Sequence, residues 1–225
     1  VIVGTRENQT PVFSKPMRYI ETNPYWNVPE SIALEELLPK IRENPEYLAK
    51  HNYEVVNMSD ASNVDPESLD WQAEDVLKGK RIRQSPGGGN ALGVIKFMFP
   101  NRFDVYLHDT SQRHLFVRIN RNLSHGCIRV HDPLGMAMFI MGDDPAWTRE
   151  RIQKLLDAGT RQQVTIPAPL TVHIMYLTAE PMDSGTIRLY RDVYGLDDDV
   201  WTLMEEARPE QEESLSADAE LITPL

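Results

Sequence analysis

One cysteine, Cys127, stands in 225 residues. An intrachain disulfide and a thiolate-rich metal cluster are therefore excluded, and the thiol is either buried filler or a group that is used. No stretch approaches the ~18 consecutive apolar residues of a membrane-spanning helix. Positive charge is short: 23 Lys and Arg stand against 34 Asp and Glu, a net charge of −11. Nucleic acid and anionic lipid are held by lysine and arginine, so neither is an expected partner. Part of the acidity is terminal, because Glu205, Glu206, Glu210, Glu212, Glu213, Asp218 and Glu220 crowd the last stretch and leave the folded body less acidic than the total. Repeats of solenoid length are absent. Neither a methionine nor a basic-then-apolar leader opens the chain at Val1, so it reads as cut from a longer one, and the missing leader says nothing about compartment.

What is present is a globular composition, 41% hydrophobic and 25% charged, long enough to bury a full core. Val1-Ile2-Val3-Gly4 reads as a strand entering a turn, and Pro11 to Ile20 alternates loosely. Asn23-Pro24-Tyr25-Trp26-Asn27-Val28-Pro29 is an aromatic segment broken by prolines, suited to an edge or a lining loop. From Glu30-Ser31 onward Ile32, Leu34, Leu37, Leu38 and Ile41 fall on a helical stripe. Residues 31–80 are expected to form a mostly helical insertion in a β-rich domain, placed where it can cover a site. The run Gly87-Gly88-Gly89 invites a phosphate-loop reading, but no Lys-Ser/Thr follows it. Val94 to Phe99 reads as a buried strand, Pro100-Asn101 as a turn, and Arg102 to Leu107 as the strand returning to His108. Asp132-Pro133 caps a helix, Trp147 to Leu156 forms another, and three strands follow with turns at Pro167–Pro169 and Asp183–Gly185. Residues 1–195 are taken as one domain and 196–225 as an acidic tail, largely disordered.

The chemistry gathers at Ser124-His125-Gly126-Cys127-Ile128-Arg129-Val130. Gly126 permits backbone conformations closed to other residues, and successive N–H groups around such a turn can bind an oxyanion, those of Gly126 and Cys127 above all. A nucleophilic thiol needs an imidazole within reach and a group that fixes the tautomer of that imidazole. His108 and His125 are the nearest bases, and Asp109 can orient His108 through its carbonyl or its carboxylate. Tyr106, two residues before His108, shares its strand face. Ser124 is expected to hydrogen-bond within the turn, and His125 to support the structure or the oxyanion. Arg129 either holds a substrate carboxylate or pairs with an acid inside the fold.

The order Tyr106-Leu107-His108-Asp109-Thr110, then Ser124-His125-Gly126-Cys127-Ile128-Arg129, resembles the L,D-transpeptidase catalytic domain of the YkuD type, in its larger bacterial form with a helical capping insertion. The resemblance implies a mainly β, mixed sandwich-like fold with helices after the motif. It implies acyl transfer on peptidoglycan stem peptides as donor and acceptor. Cys127 attacks the diaminopimelate–D-Ala bond, His108 is base, and a neighbouring amine captures the acyl group in a 3→3 crosslink. It further implies an exported, cell-envelope location, periplasmic where the wall is Gram-negative, no cofactor, and acylation by carbapenems. Tyr25 and Trp26 are expected to line the donor groove. Water or a lipoprotein lysine as acceptor would make a carboxypeptidase, an endopeptidase or an anchoring enzyme instead. Readings of another class are a wall-binding module without activity and a metal site of His108, His114, His125, Cys127 and His131, whose spacings fit no zinc pattern.

Overall fold

Apolar and charged residues stand next to each other along Ile95-Lys96-Phe97 and at Ile20-Glu21, and a strand sends such neighbours to opposite faces of the central layer. The computed structural model describes residues 1–142 and 144–207. They form two units, Val1–Met175 and a second beginning at Tyr176. In chain order the first unit runs β1 (Val3–Gly4), β2 (Phe13–Thr22), β3 (Trp26–Asn27), α1 (Glu30–Ile32), a π-helical turn over Ala33–Leu37, α2 (Leu38–Glu43), α3 (Tyr47–Lys50), β4 (Tyr53–Asn57), β5 (Asn63–Val64) and β6 (Lys80–Gln84). It continues through β7 (Ile95–Met98), β8 (Leu107–His108), β9 (Asn122–Ser124), β10 (Ile128–Arg129), α4 (Pro133–Met141), α5 (Arg149–Asp157) and β11 (Gln162–Ile174).

Five strands pair in the order β10-β8-β7-β2-β11. Their register lines up one row across the sheet, Ile128, Leu107, Phe97, Ile20 and Val164. Every member of that row is in the buried core, where α4 and α5 contribute Ala137, Ile140, Met141 and Ile152. The fold is mainly β, with several sheets and a few helices. Asp132 caps α4 by accepting the Gly135 N–H at 2.9 Å, with Pro133 in the first turn, as the sequence predicts. β1 lies parallel to β9, and the fully buried Ile2 bridges to Arg129, so the amino-terminal stretch braces the loop that carries the cysteine.

The insertion is not mostly helical. The helical run over residues 30–43 and the short helix Tyr47–Lys50 accompany a four-stranded antiparallel sheet, β3-β6-β4-β5, and Ile32, Leu37, Leu38 and Ile41 meet Val55 and Ile82 in a core of their own. The sheet is hard to foresee because β3 is two residues long and its partner β6 is distant in sequence. The π turn also shifts the phase of the helical stripe: Ala33 is buried, whereas Leu34 is exposed.

Three further expectations change. Only Leu107–His108 is strand in the run expected from Arg102, because Asn101 replaces pairing with its own amide. Its Nδ2 donates to the Phe99 and Val105 carbonyls and its Oδ1 accepts the Phe103 and Val105 N–H groups, while Asp104 takes a left-handed φ of 52°. Pro167 and Pro169 do not end a strand. They sit in β11, an edge strand, at a register shift between Thr165 and Leu170, where the lost donors are tolerated. In the second unit β12 (Ala179–Pro181) and β13 (Ile187–Leu189) form a hairpin, and α6 (Asp197–Glu206) occupies the start of the expected tail. Three aspartates in its first turn and the Asp192 carboxylate, which accepts the Gly195, Leu196 and Asp197 N–H groups, favour that helix start. The expectation of disorder beyond Arg208 lies outside the described residues.

Candidate active site

The second face of the five-stranded sheet carries another row, one residue along from the core row: Arg129, His108, Lys96, Glu21 and Gln163. Cys127 and Tyr106 stand two residues before Arg129 and His108, just ahead of the paired strands β10 and β8, and the Ile128 N–H donates to the Tyr106 carbonyl at 3.1 Å, which ties the two lead-in segments together. Adjacent strands lie about 4.8 Å apart, so thiol, phenol, imidazole and guanidinium are neighbours by construction.

The turn bearing Cys127 is fastened from both sides. Ser124 Oγ donates to the Cys127 carbonyl at 2.6 Å and accepts the Gly126 N–H at 3.3 Å. Thr10 Oγ1 donates to the Gly126 carbonyl at 2.8 Å. Gly126 has φ +108°, a conformation that favours glycine. Since its N–H is taken by Ser124, the Cys127 N–H, which has no protein partner among the described residues, is the donor left for an oxyanion.

His108 is buried, and its Nδ1–H donates to the Asp109 carbonyl at 2.5 Å. A carbonyl only accepts, so the proton is fixed on Nδ1 and the Nε2 lone pair is free. Of the two ways Asp109 could orient the ring, the main chain does it. The Asp109 carboxylate instead accepts from Arg113 Nη1 at 2.7 Å and from the Val94 N–H at 3.0 Å. Gly93 makes room for it, because a Cβ there would fall 2.3 Å from Asp109 Oδ2. Burial, with Arg129 and Lys96 adding to it, pushes the His108 pKa down to about 3 against the pull of its carbonyl bond. The resting imidazole is neutral.

Burial likewise raises the Cys127 thiol, while hydrogen bonding from Tyr106 and the charge of Lys96 oppose the rise. The thiol lies 3.8 Å from the Asp104 carbonyl and makes no hydrogen bond to His108 among the described residues. It is half-buried and opens on a cleft of about 1250 Å³. His108, Tyr106, Arg129, Ser124 and His125 line the same cleft, and the insertion with the segments flanking it, from Trp26 to Leu92, supplies much of the wall.

Other candidates scatter. His125 points away to the insertion, its Nε2 2.7 Å from Glu36 Oε1, which suits a structural role and not that of base. Trp26 lines the cleft; Tyr25 is absent from the lining and carries the Arg83 guanidinium 4.2 Å over its ring. Arg129 donates from Nη1 to Gln112 Oε1 at 2.8 Å, and its buried Nε has no partner. The histidines considered as a metal set do not gather, His131 packing edge-on against Phe116 and no metal-sized acidic or imidazole group forming among the described residues. Lys96 was not foreseen. Its signal is a lysine between Ile95 and Phe97 in an otherwise buried strand.

Residues 1–165 match the YkuD family, the L,D-transpeptidase catalytic domain. The chain belongs to that family. A Haemophilus influenzae protein named "Putative L,D-transpeptidase" is 37% identical over 197 residues, which are 88% of this chain and 40% of that protein. The chain thus spans less than half the length of this relative. As a member of the YkuD family the domain is of an enzyme family, and the face holding Cys127 and His108 falls wholly inside the matched residues.

Proposed function

We propose that this domain is a peptidoglycan L,D-transpeptidase working in the cell envelope, periplasmic where the wall is Gram-negative. The observation that carries the reading is the Cys127–His108 face: one thiol and one neutral imidazole with a free Nε2, opening on a cleft large enough for a peptide.

The chemistry follows from those residues. The Cys127 proton passes to His108 Nε2 as sulfur attacks the carbonyl between the third stem residue, diaminopimelate, and terminal D-Ala. The oxyanion takes the Cys127 N–H. When the C–N bond breaks, the imidazolium gives its proton to the leaving D-Ala amine; an imidazole held so far below its ordinary pKa releases that proton readily. The thioester is then attacked by a side-chain amine of a second stem, which gives a proton to His108 as the amide forms; the C–S bond breaks, and that proton returns to sulfur to restore the Cys127 thiol. Arg129, with a buried Nε unpaired at the cleft, is suited to a stem carboxylate.

Incubation of the purified protein with disaccharide-tetrapeptide, followed by mass spectrometry, is the test. D-Ala release with a 3→3 linked dimer is the expected result. Tripeptide monomer alone would replace the transferase with a carboxypeptidase, and no reaction at all would overturn the assignment. A carbapenem is expected to add one equivalent to Cys127 in the intact mass.

A further inference from the structure

We propose that Lys96 is a positioning residue for the nucleophile: its ammonium, held on the ring of Tyr106 beside His108, is a positive charge, with that of Arg129, against which the Cys127 thiolate forms. The inference rests on the reading of Cys127 as nucleophile. Lys96 Nζ lies 3.9 Å from the Tyr106 ring centroid, and that ring stands edge-on to His108 at 5.7 Å. Lys96 is directly opposite His108 across β7 and β8, and it lines the cleft with Cys127.

Among the described residues the lysine has no ion-pair partner of its own, although the charges of Glu21 and Asp104 act on it. Its cross-strand neighbour on the far side, Glu21, is claimed by Arg161, whose Nε and Nη2 lie 2.6 and 3.2 Å from the carboxylate. Among the described residues no carboxylate lies within ion-pair distance of Lys96. A desolvated ammonium without a counter-ion is unfavourable, and burial does pull the Lys96 pKa down. The charged groups around it are Glu21, Asp104, Arg161, Arg129 and His108, and the acceptor missing from that set is an anion at the position of the thiol. His108, neutral at rest, offers no positive charge until it has taken the proton. Lys96 supplies it beforehand.

Because the chain has a single cysteine, alkylation by iodoacetamide followed by intact mass reports Cys127 alone. Rates are measured from mildly acidic to strongly alkaline pH for wild type, Lys96→Met and Lys96→Arg, with melting curves for each. Lys96→Met is expected to move the alkylation midpoint up by about one pH unit, slowing the reaction about tenfold below the midpoint, and Lys96→Arg to restore the wild-type curve. Superimposable curves for wild type and Lys96→Met, or an Arg variant shifted as far as the Met variant, would overturn the role of Lys96 while leaving the nucleophile intact. A wild-type thiol unreactive at every pH would overturn both. If Lys96→Met melts below the assay temperature, Lys96→Gln takes its place as the neutral variant.

Discussion

The two faces of the five-stranded sheet are one residue apart along each strand and opposite in chemistry. Ile128, Leu107, Phe97 and Ile20 are sealed under α4 and α5; Arg129, His108, Lys96 and Glu21 sit between them in sequence and hold charge or protons. A period of two turns a single stretch into a core and a site at once. The apolar face supplies rigidity, and the polar face inherits fixed positions from it, because a strand cannot move one set of side chains without the other.

The sharpest break in that comparison removes the sulfur. Cys127→Ala is expected to lower turnover by about 10⁴-fold or more with the melting temperature nearly unchanged, read by D-Ala release and calorimetry side by side. His108→Gln should cost about 10²–10⁴-fold in thioester formation. It should also change the pH dependence of stability. Native His108 titrates near 3 and the unfolded residue near 6.5, so between those values the unfolded state holds the extra proton. Stability is present in full above about pH 6.5, the ordinary histidine value, and falls on acidification through that window. Urea midpoints at neutral and mildly acid pH should therefore diverge in wild type and converge in the variant. An equal drop in both would show that His108 is not held neutral.

On the apolar face the pattern reverses. Phe97→Ala, at a fully buried position, should lose about 3–5 kcal/mol of stability in denaturant titrations, with turnover per folded molecule close to wild type. Smallest of all is Glu36→Gln, which removes the negative charge that the insertion sets against His125. Both partners are well exposed, so a stability change within about 1 kcal/mol is expected. A large fall in turnover instead would show that the insertion sets the geometry of the catalytic loop.

Much of this was legible along the chain, and the rest was lost for identifiable reasons. A lone thiol after glycine, an upstream histidine and an arginine two residues on pointed to Cys127, His108 and Arg129, while Lys96 beside them did not stand out. The Asp132-Pro133 cap announced α4. The sheet of the insertion was not legible, since strands as short as Trp26–Asn27 take their identity from distant partners. Nor was the loop before His108, because valine and tyrosine favour strand while four bonds to one asparagine side chain do not show in a periodicity.

The sequence by itself singled out Cys127 as the candidate nucleophile and His108 and His125 as its candidate bases, from residue type and position, and the resemblance of its motif implied the mainly β class. Only the tertiary structure decided that the Asp109 carbonyl, not its carboxylate, orients His108; that Trp26 and not Tyr25 reaches the cleft; and that Lys96 has no carboxylate within ion-pair distance among the described residues. Those choices depend on register between strands far apart in the chain, and on which partner has already been claimed. No local pattern carries either kind of information.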